Sequence, residues 1–260
     1  MINTNKVEAM RVVFYYQTFQ PNLDVGKACT HVHLAAIHFG FNADGSPYIH
    51  LNDQAPSSPD FDPVWAQMKA LQARGVKIIL MIGGAGGGYA DLFGNMEDFY
   101  PLLLQCLQTN PIDGVDLDIE EAVNLTDVVN LTCRLRGDRP DLLFTMAPLP
   151  NSLISDAPGL GGFSYRALVD ALAQQSITIS YFNVQCYDSY TVDVYDSIVQ
   201  NGYDSSTVVM GQLGAMSSTV PVAHALRAKY PTFGGVFTWE YYDTLPTPLQ
   251  WATDMSRENM

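Results

Sequence analysis

Basic residues are scarce in this chain. Lys and Arg number 13 against 27 Asp and Glu, a formal net charge of −14 over 260 residues. Phosphate neutralisation needs a surplus of Lys and Arg, so nucleic acid is not an expected partner. Long apolar runs are also missing: none reaches the roughly 20 residues of a membrane-spanning helix, so no membrane is expected either. The four cysteines, Cys29, Cys106, Cys133 and Cys186, are too few for a disulfide framework and show no CxxC spacing. They read as buried thiols or at most one incidental bridge. Met1–Met10 is polar and lacks the apolar stretch of a signal peptide. That leaves open an intracellular protein or a chain that begins at a mature domain. No linker, low-complexity tract or charge block divides the sequence. Its 47% apolar and 15% charged content excludes a disordered chain.

What is there is an alternation. Eight short apolar runs, rich in β-branched and aromatic residues, are bounded by Gly, Pro, Asp or Asn. They are Arg11–Tyr16, Val32–Phe39, Val76–Ile82, Gly114–Ile119, Leu142–Ala147, Ile177–Tyr187, Ser206–Gly211 and Gly234–Trp239. Helical patterns lie between several of them. Asp62-Pro63 reads as an N-cap and first helical residue, opening a helix to Arg74 that Gly75 ends. Phe99, Leu102, Leu103, Cys106 and Leu107 follow the spacing of a buried stripe, with Pro101 blurring the start. Tyr165, Leu168, Val169 and Leu172 repeat that spacing, and Thr247–Glu258 is expected to supply a last helix. The weakest helical signal lies around Asp24–Cys29. Strands alternating with helices imply a parallel sheet. At this length the expected fold is α/β, a single-domain TIM (β/α)8 barrel over residues 1–260; a doubly wound open sheet is the alternative. In a barrel the chemistry sits at the C-terminal ends of the strands.

The fourth run carries the most chemistry: Asp113-Gly-Val-Asp116-Leu-Asp118-Ile-Glu120. Strand side chains alternate between faces. Asp116, Asp118 and Glu120 therefore share one face, with Glu120 at the C-terminal lip, and Val115, Leu117 and Ile119 share the other. Three neighbouring carboxylates cannot all ionise cheaply in a half-buried site, so at least one pKa rises and the set titrates as a coupled group. A raised carboxyl suits a general acid near neutral pH. A hard-cation site is the alternative for such a cluster, although the Leu117 and Ile119 spacers place it on a strand rather than in a ligand loop. Asp113 is either part of the acidic set or a turn cap.

The Asp113-x-x-Asp116-x-Asp118-x-Glu120 segment resembles the DxxDxDxE signature of glycoside hydrolase family 18, which holds chitinases, endo-β-N-acetylglucosaminidases and inactive lectin-like relatives. Other segments agree. Lys77–Gly84 is similar to the family's third strand with its terminal Gly pair, Thr30–Phe39 to the second, and Met146-Ala-Pro148 to the fifth. Gln185-Cys-Tyr187-Asp188 resembles the sixth strand, and Gly234–Trp239 the eighth. Gln185 is the plant-type residue, while many bacterial members have Met there; plant-type members have Asn rather than Asp after the Tyr. The resemblance implies hydrolysis of β-1,4 bonds between N-acetylglucosamine units with retention at the anomeric carbon. The substrate's own acetamido group serves as nucleophile through an oxazolinium ion, a departure from the two-carboxylate scheme. By the same resemblance Glu120 is the acid, and Asp118 orients the acetamido N–H. Asp116 trades a proton or hydrogen bond with Asp118 from below. Tyr187 donates to the acetamido oxygen, and Gln185, Asp188 and Trp239 bind the sugar, Trp239 as its floor. The scheme requires no metal and no cofactor. The implied partner is chitin or an N-acetylglucosamine oligosaccharide, the implied setting is secreted, and a monomer is expected. An acidic cleft suits a neutral or cationic polymer.

Only residues 212–233 separate the seventh and eighth runs, too few for the α+β insertion that walls a tunnel in many family members. A shallow, open groove and endo-type cutting are therefore expected. Gly83, Gly84 and Gly86–Gly88 lack the Lys-Ser/Thr and spacing of a phosphate loop and read as a flexible rim. His31-x-His33 has no evident third ligand and reads as core. Asn124-Leu-Thr126 and Asn130-Leu-Thr132 are glycosylation sequons, meaningful only in a secretory host. Tyr15, Tyr16, Phe39, Tyr89 and Tyr241 are either cleft-lining or core.

Overall fold

The computed structural model describes residues 10–216 and 219–257. Met1–Ala9, where the polar N-terminal segment falls, and the last residue expected in the terminal helix, Glu258, lie outside the described residues. Among the described residues nine strands form one sheet: β1 Arg11–Tyr16, β2 His31–Phe41, β3 Pro47–Leu51, β4 Lys77–Gly83, β5 Gly114–Asp118, β6 Leu143–Met146, β7 Tyr181–Gln185, β8 Val208–Leu213 and β9 Gly235–Trp239. The neighbour order is β1-β9-β8-β7-β6-β5-β4-β2-β3, and an additional β1–β2 pairing closes the ring. Eight strands are parallel, while β3 is antiparallel and pairs with β2 alone. The fold is thus a closed eight-stranded parallel barrel with a β-hairpin added at the upper end of β2.

Nine α-helices accompany the strands among the described residues: α1 Asp62–Ala73, α2 Tyr89–Gly94, α3 Met96–Thr109, α4 Leu125–Asp138, α5 Pro150–Ile154, α6 Tyr165–Gln174, α7 Val192–Gln200, α8 Val220–Lys229 and α9 Pro248–Ser256. The first helix begins one residue earlier than the Asp-Pro signal predicts, because a 3-10 turn at Pro59–Phe61 leads into it. Gly75, at φ +88°, stops the chain just beyond its end. Pro101 lies inside α3 and gives up one amide donor without ending the helix. The apolar stripe Phe99, Leu103, Cys106 and Leu107 holds α3 against the barrel. In α9 the Thr247 side chain accepts from Gln250 N, Pro248 opens the first turn, and Trp251 and Met255 are buried. Trp251 packs on Phe14 of β1 at 5.1 Å between ring centroids; truncating an aromatic buried this deeply costs roughly 3–5 kcal/mol.

Two expectations need correction. The segment around Asp24–Cys29 is irregular, so β1 passes to β2 without a helix. Its apolar content goes instead to single contacts, with Val25 and Cys29 packed in the outer core. The second correction is β3, which the apolar-run pattern does not contain. The four cysteines are free thiols, three of them buried, and burial pushes Cys29, Cys106 and Cys186 up to about 12. No helix among the described residues is long and apolar enough to cross a membrane. Between β8 and β9 the described residues form only α8 and its connections.

The side chains divide by strand parity. Outward residues join the core between barrel and helices. Val13, Tyr15, Ala35, Ala36, Met81, Tyr181, Val209 and Phe237 form a second cluster inside the barrel, with Tyr187 and Trp239 packed against its upper end. Gly211 shares the inward parity of Val209 on β8, and only a glycine fits there because the Phe237 ring occupies the place a Cβ would take. That interior is the floor on which the acidic strand stands.

Candidate active site

Parity places Asp116 and Asp118 inside the barrel, as the alternation on β5 predicts, and both are buried. Ile119 ends the apolar face, and Glu120 lies half-buried two residues beyond the strand. Asp116 is wholly enclosed and surrounded by donors. Tyr15 of β1 donates its hydroxyl to Oδ2 at 2.6 Å. Thr145 of β6 donates to Oδ1, and Asn183 Nδ2 of β7 reaches the same oxygen at 3.3 Å. His33 Nδ1 of β2 is 3.3 Å from Oδ2, and its Nε2 meets the Tyr181 hydroxyl at 2.9 Å. Burial pushes the Asp116 carboxyl up, but the nearby His33 ring and the hydrogen bonds from Thr145 and Tyr15 outweigh it and hold it below the usual aspartate value. The expected hydrogen bond between Asp116 and Asp118 is not formed: these four side chains take up Asp116, and it acts on Asp118 through its charge.

Asp118 has the opposite surroundings. Burial first, then the nearby charges of Glu120 and Asp116, push its carboxyl well above the usual value. The raised acid of the cluster is therefore Asp118. Among the described residues the side chain that donates to it is Gln185, whose amide nitrogen lies 3.2 Å from Asp118 Oδ1, 3.3 Å from Glu120 Oε1 and 2.8 Å from Ala147 O. Two N–H hydrogens serve three acceptors, so this amide bridges the two acids. Two glycines bring the end of β4 against them. Gly83 and Gly84 have φ of +89° and +84°. A Cβ on Gly83 would lie 2.5 Å from Asp118 O, and Gly84 N donates to that oxygen at 2.8 Å. The pair is packed into the site, not part of a loose rim.

Around the lip, Tyr187 and Trp239 are half-buried and Asp188 is exposed. The Trp239 ring lies 5.5 Å from that of Tyr15, and Tyr187 meets Phe237 edge-on at 6.3 Å. Burial, then the charges of Asp118, Glu120 and Asp116, push the Tyr187 hydroxyl well above its usual value, so it stays a donor. The same holds for Tyr15, where burial and then Asp116 and Asp118 act. Among the described residues no group of three or more His, Cys, Asp or Glu is arranged to hold a metal ion.

The site is thus a buried acidic column at the C-terminal end of a barrel strand, bridged by the Gln185 amide and bordered by the Tyr15, Tyr187 and Trp239 rings. The family model of glycosyl hydrolases family 18 matches residues 11–247. The chain belongs to this family. It is similar to a fungal endo-β-N-acetylglucosaminidase of the same family, at 30% identity and TM-score 0.83, covering 95% of this chain and 96% of that one. It is likewise similar to the chitinase ChiC from Aspergillus fumigatus, at 33% identity and TM-score 0.81, covering 95% and 99%. Chitinase 2 of Rhizopus oligosporus is 28% identical over 77% of this chain but only 42% of its own length. The chain thus spans less than half of that relative.

Not every position of the family 18 signature is in the cleft. Asp113 lies at the opposite end of β5, where it accepts from Ile78 N at 2.9 Å, Gln72 Nε2 at 3.0 Å and Lys77 Nζ at 3.0 Å. It ties the start of β4 to the start of β5, far along the strand from Glu120. His31 is half-buried rather than core, with its Nδ1 2.8 Å from Thr30 Oγ1 and its ring edge-on to Tyr181; burial, then His33, Arg11 and Lys77, push its pKa well below the usual value. His33 is not merely core, since it faces Asp116. Tyr16, Phe39, Tyr89 and Tyr241 belong to the outer core, and Tyr89 donates to Ile82 O at 2.8 Å. Tyr15 alone of the five aromatic candidates enters the barrel interior. His33, Thr145 and Asn183 were not among the candidate residues. Their signal is inward parity on β2, β6 and β7, readable only once the strands are known to close around Asp116. A separate pocket of about 470 Å³ lies outside the barrel between β3, α1 and α3, and none of the acidic-strand residues lines it.

Proposed function

We propose that this chain is a chitinase-like glycoside hydrolase cleaving β-1,4 bonds between N-acetylglucosamine units with retention. The observation that carries the reading is the pairing of a donor-saturated Asp116 with an Asp118 pushed toward its protonated form, bridged by Gln185 to Glu120. In the proposed cycle Glu120 protonates the leaving glycosidic oxygen while the substrate's acetamido oxygen attacks the anomeric carbon. The C–O bond to the leaving sugar breaks and an oxazolinium ion forms. Asp118, its proton released to solvent as the positive charge develops, accepts a hydrogen bond from the acetamido N–H as a carboxylate and offsets that charge. Tyr187, held protonated, donates to the acetamido oxygen. Glu120, now a carboxylate, takes a proton from the water that opens the ring, so the carboxyl is restored and configuration is retained. Trp239 offers its face to the sugar ring, and Gln185 keeps the two acids in register. Asp188, on the exposed rim, is proposed to contact a more distant sugar. The short β8–β9 connection supports an open groove and internal cutting.

Product analysis of chitohexaose incubated with the protein and with Glu120→Gln tests this. Internal cleavage by the wild type and its loss in the variant are expected. A second reading, an endo-β-N-acetylglucosaminidase acting on N-glycan cores, is favoured by the similarity to the fungal enzyme of that name. It predicts intact chitohexaose and release of glycan from a high-mannose glycopeptide. Protein that binds these sugars but cleaves neither would overturn both readings.

A further inference from the structure

Trp239 ends β9, and the residue after it is a buried carboxylate. Glu240 is 6% exposed and has no access to a sugar in the cleft. Its Oε2 accepts from the backbone N–H groups of Gln17 and Thr18, each at 2.8 Å, and its Oε1 accepts from the Thr18 hydroxyl. A charged acceptor with three donors forms bonds about twice as strong as neutral ones. These donors belong to the loop that leaves β1 immediately after Tyr15 and Tyr16. The same loop is held from the other side, where Asn52 Nδ2 donates to Gln17 O at 3.2 Å. Backbone bonds complete the frame around Trp239: Gly214 N donates to Trp239 O at 2.6 Å, and Tyr241 N donates to Tyr15 O at 2.9 Å. Thr244 Oγ1 caps Glu240 O at 2.7 Å.

We infer that Glu240 is a positioning residue for the sugar site, fixing the Trp239 ring by locking the end of β9 to the loop after β1. The inference rests on the reading of Trp239 as the sugar floor. Without the carboxylate, two backbone N–H groups and a hydroxyl lose their acceptor. Past the last ladder pair of β1 and β9, Phe14–Thr238, the two ends then keep the Tyr241–Tyr15 backbone bond and the Tyr15–Trp239 ring contact but lose the tie to the loop, and Trp239 gains freedom that must be removed on binding. The loss therefore falls on substrate binding rather than on proton transfer.

The test compares wild type, Glu240→Ala, Glu240→Gln and Thr18→Val on chitohexaose, together with acrylamide quenching of Trp239 fluorescence. The chain has three Trp, so a Trp239→Phe reference isolates the Trp239 signal. Glu240→Ala is expected to raise KM about tenfold, the effect of losing roughly one buried hydrogen-bonded acceptor, with kcat within about threefold and Trp239 more quenchable. Glu240→Gln keeps an amide oxygen for the two N–H groups and should restore KM to within about threefold of wild type. Thr18→Val should raise KM less than Glu240→Ala, in the same direction. If Glu240→Ala leaves KM and quenching unchanged, or lowers kcat alone, the inference is overturned. Should that variant fail to fold, Thr18→Val with unchanged KM and quenching overturns it. If the wild type does not cleave chitohexaose, the proposed chitinase activity fails. Trp239 quenching in the Glu240 variants then still decides the inference.

Discussion

Asp116 and Asp118 stand two residues apart on one strand, face one barrel interior and are both buried, yet their surroundings push their carboxyl pKa values in opposite directions. Asp116 meets Tyr15, His33, Thr145 and Asn183; Asp118 meets one amide and two like charges. Burial alone raises both, so the neighbours decide the sign. The lower position is built to hold a fixed negative charge. The upper position is built so that a charge appears there only at a cost, which a cationic intermediate would offset. One strand thereby supplies a carboxyl held low, a carboxyl pushed high and, past its end, the half-buried Glu120.

The sharpest way to break this comparison is at the lip. Glu120→Gln should lower kcat by about 10²–10⁴, the range for loss of a general acid, with oligosaccharide binding kept. A variant of wild-type kcat would move the acid elsewhere. Next is Asp116→Asn, which sets an NH2 group among donors and leaves a single acceptor oxygen. We expect it to destabilise the fold by about 3 kcal/mol in urea unfolding. The sign against pH follows from the depressed Asp116 pKa. Its stabilisation is present above the ordinary aspartate value and is lost as pH falls through the lower folded-state value. Asp116→Asn should therefore converge with wild type at acid pH. A variant as stable as wild type at neutral pH would mean the four neighbours contribute no net stability.

Asp118→Asn should behave differently on both counts. The folded protein binds this proton more tightly than the unfolded chain, so the wild type loses stability as pH rises from the ordinary aspartate value through the raised one. The asparagine has no such loss, and its stability relative to wild type should improve over that window. Its kcat should fall by about 10², the scale of losing one preorganised electrostatic partner. Parallel stability–pH curves for the two proteins would remove the distinction between the aspartates.

Much of this site was legible in the sequence, and the limits have physical causes. Period-two alternation placed Asp116, Asp118 and Glu120 on one face because that rule is local. The eight runs marked the barrel strands for the same reason, with ends shifted by a few residues, as at β7. The donors to Asp116 were not legible, because Tyr15, Thr145 and Asn183 come from other strands and meet it only when strand register is set around a closed ring. Tyr15 was ambiguous between cleft and core and proves to serve the barrel interior. β3 was missed although Asp44-Gly45 is a turn signal, because Pro47–Leu51 is short and follows a strand already counted. The helix expected near Asp24–Cys29 fails where its pattern is weakest, and Asp113, which spacing leaves open between acid and turn cap, lies at the other end of the strand.

That last residue defines the smallest prediction. At the lower end of β5, Asp113 is an acceptor within a framework, and half-exposed Lys77 is only one of its three donors. Exposed ion pairs contribute little, because solvent screens the attraction and the lysine loses side-chain freedom. Lys77→Met should therefore change stability by no more than about 0.5 kcal/mol and leave turnover unchanged. Ile78 N and Gln72 still hold the carboxylate, and the Asp113 N–H still donates to Ile78 O at 2.7 Å. The measurement is the urea midpoint beside that of Asp116→Asn. A loss at Lys77 as large as the loss at Asp116 would mean that charge at the two ends of the strand is held with equal force. The division between a structural lower end and a charge-tuned upper end would then not stand.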